Sequence, residues 1–148
     1  MSSLKPTAVI AEDEPVLRAQ LGDMLRAVWP ELVIATTIAD GHQALRALEQ
    51  HSPDVLFLDI QMPGLTGLDV ARHASGRCHV VFVTAYDQYA VAAFEEGAVD
   101  YLMKPLNFER LVTACGHIRK RLSLAPTHLK SLLKTLTKRT TQTQPYLQ

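Results

Sequence analysis

The chain has 148 residues, 47% of them hydrophobic, which is enough for one compact domain with a real core. No apolar run approaches a membrane span, the N-terminus lacks a charged-then-apolar secretion pattern, and the two cysteines, Cys78 and Cys115, have no metal-like spacing. A cytoplasmic protein with reduced thiols and no membrane partner is therefore expected, with Cys115 in a core. The formal charge of zero hides an asymmetry. All fifteen acids lie at or before Glu109, against eight bases up to Arg110, so the body carries −7; seven bases from Arg119 onward give the remainder +7. Two parts with different jobs are expected, with residues 1–122 as a folded domain and residues 123–148 as a basic extension.

In chain order, "TAVIAE" is an apolar run ending in acids, as a buried parallel strand would be. Pro15 suits a first helical turn, and Leu17, Leu21, Met24, Leu25 and Val28 recur at helical spacing before Trp29-Pro30. "LVIATTI" predicts a second strand, "DGHQALRALEQ" a second helix and "DVLFLD" a third strand. Gly64 and Gly67 punctuate a loop into a third helix through Leu68 and Ala71, with Gly67 and Gly97 read as turn or cap residues. "HVVFVT" is a fourth strand, "DQYAVAAFEEG" a fourth helix and "VDYLM" a fifth strand. Asn107 is expected to cap a last helix with the stripe Phe108, Leu111, Val112, Cys115, Ile118 and Leu122. His73, Cys78 and His79 are expected at the surface, between a helix end and a strand start.

Five strands alternating with five helices predict a doubly wound α/β domain with a parallel sheet of order 2-1-3-4-5 and helices on both faces. Ligands in such folds bind beyond the carboxyl ends of the strands. Glu12 and Asp13 follow strand one, Asp59 ends strand three, Thr84 ends strand four and Lys104 follows strand five, so these five polar side chains converge on one edge. Carboxylates crowded together repel one another and demand a cation, and oxygen ligands favour a hard ion such as Mg²⁺. A carboxylate beside such an ion, a lysine and a hydroxyl has the makings of a phosphoryl acceptor: it attacks phosphorus in line while positive charge neutralises the transferring group.

The acidic run "EDE", "LDIQMPG", "VTA" and "YLMKP" resemble bacterial response-regulator receiver (CheY-like) domains, over about Thr7 to Leu122. The stretch "TAYDQYAVAAFEEGAVDYLMKP" is similar to receivers of the LytTR subfamily, whose effectors bind DNA. The resemblance implies that Asp59 is phosphorylated by a partner histidine kinase, and that Asp13 and Asp59 ligate Mg²⁺. It implies further that Glu12 acts through a bound water and that the backbone carbonyl of Gln61 completes the ligand set. Thr84 and Lys104 would hold phosphoryl oxygens, the Lys104-Pro105 peptide would be cis, and Tyr101 would act with Thr84 as a switch whose ring turns inward. Catalysis beyond self-phosphorylation and dephosphorylation is not implied. Gln61 and Tyr86 would flank the path of attacking water, with Tyr86 as a shield. The first acid, more commonly aspartate in the family, is here Glu12, which could shift metal affinity while keeping the charge.

The same resemblance suggests a homodimer through the fourth helix, fifth strand and fifth helix, where Ala90, Ala93 and Phe94 offer apolar surface. In residues 123–148 Leu129, Leu132, Leu133 and Leu136 share one helical face and Lys130, Lys134 and Lys138 the opposite one. Neither tryptophan nor phenylalanine lies in this stretch, which disfavours a membrane-surface helix. A linking or dimerising helix toward a DNA-binding effector domain outside this chain is the expectation, over a nucleic-acid arm; a stand-alone receiver without DNA-binding output is the alternative. A haloacid-dehalogenase-like phosphatase is the competing enzyme reading. It would need an acid where Gln61 stands, since an amide cannot serve as the general acid.

Overall fold

In the computed structural model, residues 5–122 are described. They form β1 (Thr7–Ala11), α1 (Pro15–Val28), β2 (Val33–Ile38), α2 (Gly41–His51), β3 (Val55–Leu58), α3 (Gly67–Ala74), β4 (His79–Thr84), α4 (Ala90–Glu95), β5 (Asp100–Met103) and α5 (Phe108–Arg121). All pairings are parallel, in the order β2-β1-β3-β4-β5. This is the architecture the alternating pattern predicts.

Alternate strand residues feed two separate cores, one per face of the sheet. Val9, Leu56, Leu58, Val80 and Phe82 pack with Ala44 and Leu48 of α2, Val70 and Ala71 of α3, and Ala93 of α4. Ala8, Ile10, Val55, Phe57, Val81 and Val83 pack with Leu21 and Leu25 of α1 and Leu111, Cys115 and Ile118 of α5. Because both faces are covered, β3 and β4 are buried at every residue, which is why they read as unbroken apolar runs.

Helix starts follow local chemistry. Pro15 opens α1, while Asp40, Thr66 and Asn107 accept bonds from the backbone N–H groups of Gln43, Asp69 and Arg110. The expected cap at Asn107 is present.

Five local expectations are corrected. Cys78 and His79 are buried, because the chain enters the inner strand β4 directly and both sheet faces are covered there; His73 is exposed. The fourth helix is only six residues long. Tyr89 provides no side-chain cap for it, and Gly97, at φ +87°, ends it through an N–H bond to the Phe94 carbonyl. Ala93 lies inside, so the exposed apolar residues of α4 are Val91 and Phe94. The buried stripe of α5 is Leu111, Ala114, Cys115 and Ile118, and Phe108 and Val112 face outward. Gly67 is not a turn residue with positive φ; it serves a close approach described below. Among the described residues no helix is long and apolar enough to cross a membrane. The leucine and lysine faces expected within residues 123–148 lie outside the described residues.

Candidate functional site at the carboxyl edge of the sheet

Thr84 ends β4, while Glu12, Asp59 and Lys104 are the first residues past β1, β3 and β5, and the ladder hydrogen bonds continue through these three. The Glu12 N–H donates to the Ile38 carbonyl, the Asp59 N–H to Ala11 and the Lys104 N–H to Thr84, at 3.0, 3.0 and 2.9 Å. Their backbones are thus held as firmly as the strands that precede them. The Lys104-Pro105 peptide is cis.

Lys104 bridges two acids. Its Nζ lies 2.6 Å from Oε1 of Glu12 and 2.8 Å from Oδ2 of Asp59. The other oxygen of Glu12 accepts the Glu14 N–H at 3.1 Å, and the other oxygen of Asp59 accepts the Gln61 N–H at 3.3 Å. Arg18 secures the same turn by donating to the Glu12 carbonyl at 2.7 Å. Glu12 and Asp59 are buried, and Asp13 is half-buried. Burial raises the Glu12 carboxyl above its ordinary range, and its bond from Lys104 only partly opposes this. For Lys104, burial acts downward but is outweighed by bonds to Asp59 and Glu12, so the ammonium is held above its usual value.

One oxygen from each of Glu12, Asp13 and Asp59 lies within 4.8 Å of the others. Three hard carboxylate donors with a single lysine among them leave an excess of negative charge, and this donor set fits a divalent ion such as Mg²⁺. Beside it, Thr84 is fully buried and its Oγ1 has no hydrogen-bond partner among the described residues. A buried hydroxyl without a partner costs stability, so an orphan at the edge of a charged cluster points to a ligand that would complete it.

Tyr101 has its ring inside, 6.1 Å from that of Phe82, and its hydroxyl donates to the Tyr86 carbonyl. Burial raises its phenol above the usual range. The side chain of Gln61, exposed to solvent, does not enter the acidic cluster; its Nε2 donates to the Tyr89 hydroxyl at 3.2 Å.

Three features escaped the sequence reading. Tyr89 gave no signal, since its partner is distant in the chain. Gly67 packs so closely on the Asp59 carbonyl that a Cβ would collide with it, and its N–H donates to Ile60 at 2.8 Å. A glycine opening a helix just after "LDIQMPG" could have suggested this. Asp100, buried at the start of β5, is bound by Arg110 at 2.5 and 3.1 Å, by His117 Nδ1 at 2.8 Å and by the Tyr101 N–H at 2.8 Å. Burial alone would raise this carboxyl, but Arg110, the Tyr101 N–H and His117 together hold it below the usual range.

The family model for the response regulator receiver domain matches residues 8–116. A response regulatory protein of Vibrio cholerae is 48% identical over 127 residues, covering 82% of this chain and 49% of that protein. The sensory transduction protein LytT of Oceanobacillus iheyensis is 38% identical over 125 residues, covering 81% and 50%. The response regulatory domain of mrkE from Klebsiella pneumoniae superposes with a TM-score of 0.74 at 29% identity, over 79% of this chain and 98% of that one. The chain spans about half the length of the relatives it matches. The matched family and these relatives are response regulators, and the phosphatase reading would need an acid where Gln61 stands. With the family match running from β1 into α5, the chain belongs to the response-regulator receiver family of two-component signalling systems.

Proposed function

We propose that Asp59 accepts a phosphoryl group from the phosphohistidine of a sensor histidine kinase. The observation that carries this reading is the lysine bridging Asp59 and Glu12 at 2.8 and 2.6 Å, beside an orphaned threonine hydroxyl. Asp59 Oδ attacks phosphorus, and the bond to the donor imidazole breaks with its electron pair leaving on nitrogen. Lys104, freed from part of its pairing, and the Thr84 hydroxyl then bind phosphoryl oxygens. Glu12, Asp13, Asp59 and the Gln61 backbone carbonyl would hold Mg²⁺, Glu12 through water. When bound, the ion offsets negative charge on the carboxylates and the incoming group.

Thr84 and Tyr101 form the switch in this reading. A shift of Thr84 toward the phosphoryl group opens space beneath it, and the Tyr101–Tyr86 contact relays the change to the face of α4, β5 and α5. That face carries Val91, Phe94, Phe108 and Val112 as exposed apolar residues and is the proposed homodimer surface. Residues 1–122 would be the receiver. Residues 123–148 would lead toward a DNA-binding effector domain, as the twofold length of the relatives suggests, and the whole would work in the cytoplasm.

Incubation with acetyl phosphate and Mg²⁺ should give a one-phosphoryl adduct that Asp59→Asn abolishes. Full-level uptake by Asp59→Asn would refute the assignment. Sedimentation with and without beryllofluoride tests the dimer, for which an unchanged mass over a wide concentration range counts against this surface.

A further inference from the structure

We infer that Tyr89 is a positioning residue that sets the lifetime of the phosphorylated form by holding the Gln61 amide out of reaction. The inference rests on the reading of Asp59 as phosphoacceptor. Asp59 is only 5% exposed. Lys104 takes its Oδ2, while the Gln61 N–H lies against Oδ1. Gln61 is itself exposed, so it borders the side of the carboxylate that solvent can approach. Its side-chain amide is the nearest neutral donor and acceptor in sequence able to hold a water there.

That amide is engaged elsewhere. Nε2 donates to the Tyr89 hydroxyl at 3.2 Å, across 28 residues of chain. The Tyr89 ring is braced in turn: it meets the Tyr86 ring edge-on at 6.4 Å, and the Tyr86 carbonyl is fixed by the buried Tyr101 hydroxyl. Tyr89 adds no side-chain cap to α4, so its hydroxyl can be removed without disturbing the helix start. The contact therefore joins the loop after β3 to the start of α4 through one phenol. In hydrolysis, a water oxygen bonds to phosphorus, and the bond from phosphorus to Asp59 breaks with its pair returning to the carboxylate. One water proton passes to solvent and the other remains on inorganic phosphate. An amide released from Tyr89 can turn toward that water and accept from it through Oε1; the Nε2 bond to the phenol leaves Oε1 free but fixes the side chain toward Tyr89.

The test uses the full chain, phosphorylated with radiolabelled acetyl phosphate in Mg²⁺ buffer, desalted, and followed for phosphate release. Tyr89→Phe removes the hydroxyl and keeps the ring contact. Its release should quicken by about fivefold, the size of one net hydrogen bond. In a Gln61→Leu background the same substitution should change the rate by less than about twofold, a non-additivity that a merely structural role would not produce. Unchanged or slower release in Tyr89→Phe, or equal acceleration in both backgrounds, overturns the inference. If the wild type takes up no phosphoryl group at all, the fault lies in the assignment of Asp59, and both fall together.

Discussion

Two buried carboxylates, Asp100 of β5 and Asp59 just past β3, lie toward opposite edges of the sheet, and their surroundings differ in kind. Asp100, at the start of the strand, meets a guanidinium, an imidazole and a backbone N–H, so its hydrogen-bonding capacity is filled from the chain itself. Lys104, just past the other end, is one cation serving Glu12 and Asp59, with Asp13 close by and Thr84 unpartnered. A satisfied carboxylate stabilises a fold, whereas an unbalanced cluster stores affinity for a ligand that the chain does not supply. The first arrangement is structural and the second is poised for chemistry.

Substitutions at the two carboxylates should therefore have opposite signatures. Asp59→Asn is expected to lose all phosphoryl uptake while its unfolding free energy moves by less than about 1 kcal/mol, because it removes one charge from an excess. Asp100→Asn is expected to keep uptake and lose about 2 kcal/mol, discounted from a buried pair because Arg110 and His117 are partly exposed. Urea unfolding paired with acetyl phosphate labelling checks both; a stable Asp100→Asn protein would erase the contrast.

The pH dependence sharpens it. The Asp100 carboxyl titrates below its ordinary 3.8 in the folded state. Its contribution is thus fully present above that value and disappears as pH falls through the lower folded value. The stability gap between wild type and Asp100→Asn should still be present at about pH 5 and then close in more acid solution. A gap that persists undiminished to about pH 2 would mean that packing, not charge, carries the effect.

Metal should act only on the unbalanced cluster. Mg²⁺ at ten times its dissociation constant is expected to stabilise the wild type by about 1.4 kcal/mol. Asp100→Asn should gain the same increment and Asp59→Asn much less, as read by thermal melts with and without chelator. The smallest effect is expected from Tyr101→Phe. Losing the hydroxyl leaves the Tyr86 carbonyl short of a donor and should cost about 1 kcal/mol, with uptake intact.

The fold was legible because four strands, β1, β3, β4 and β5, are largely apolar runs that stop at Glu12, Asp59, Thr84 and Lys104 at one edge. The convergence of Glu12, Asp13, Asp59, Thr84 and Lys104 followed from topology alone, since parallel strands bring every carboxyl end to the same side. Contacts that depend on side-chain direction were not legible. The Gln61–Tyr89 bond, the burial of His79 and the inward turn of Ala93 depend on how loops and a six-residue helix settle on the sheet. Hydrophobic spacing in "DQYAVAAFEEG" could not show that the helix starts only at Ala90, because the uncapped start at Tyr89 is a matter of backbone geometry. Gly67 was read as a turn for the same reason: only the approach of the Asp59 carbonyl reveals why a side chain is excluded there.

The ladder bonds that run past the strand ends have a consequence for how the molecule breathes. The amides of Glu12, Asp59 and Lys104 are bonded to Ile38, Ala11 and Thr84 as though they were strand residues. Their exchange with heavy water then requires the sheet itself to come apart, the slowest opening available to the protein. Tyr86 to Tyr89 lie outside any strand or helix, and their amides can exchange through local excursions. The chemical groups are thus clamped to the most persistent part of the molecule, and the segment on which the proposed switch relies belongs to the most transient.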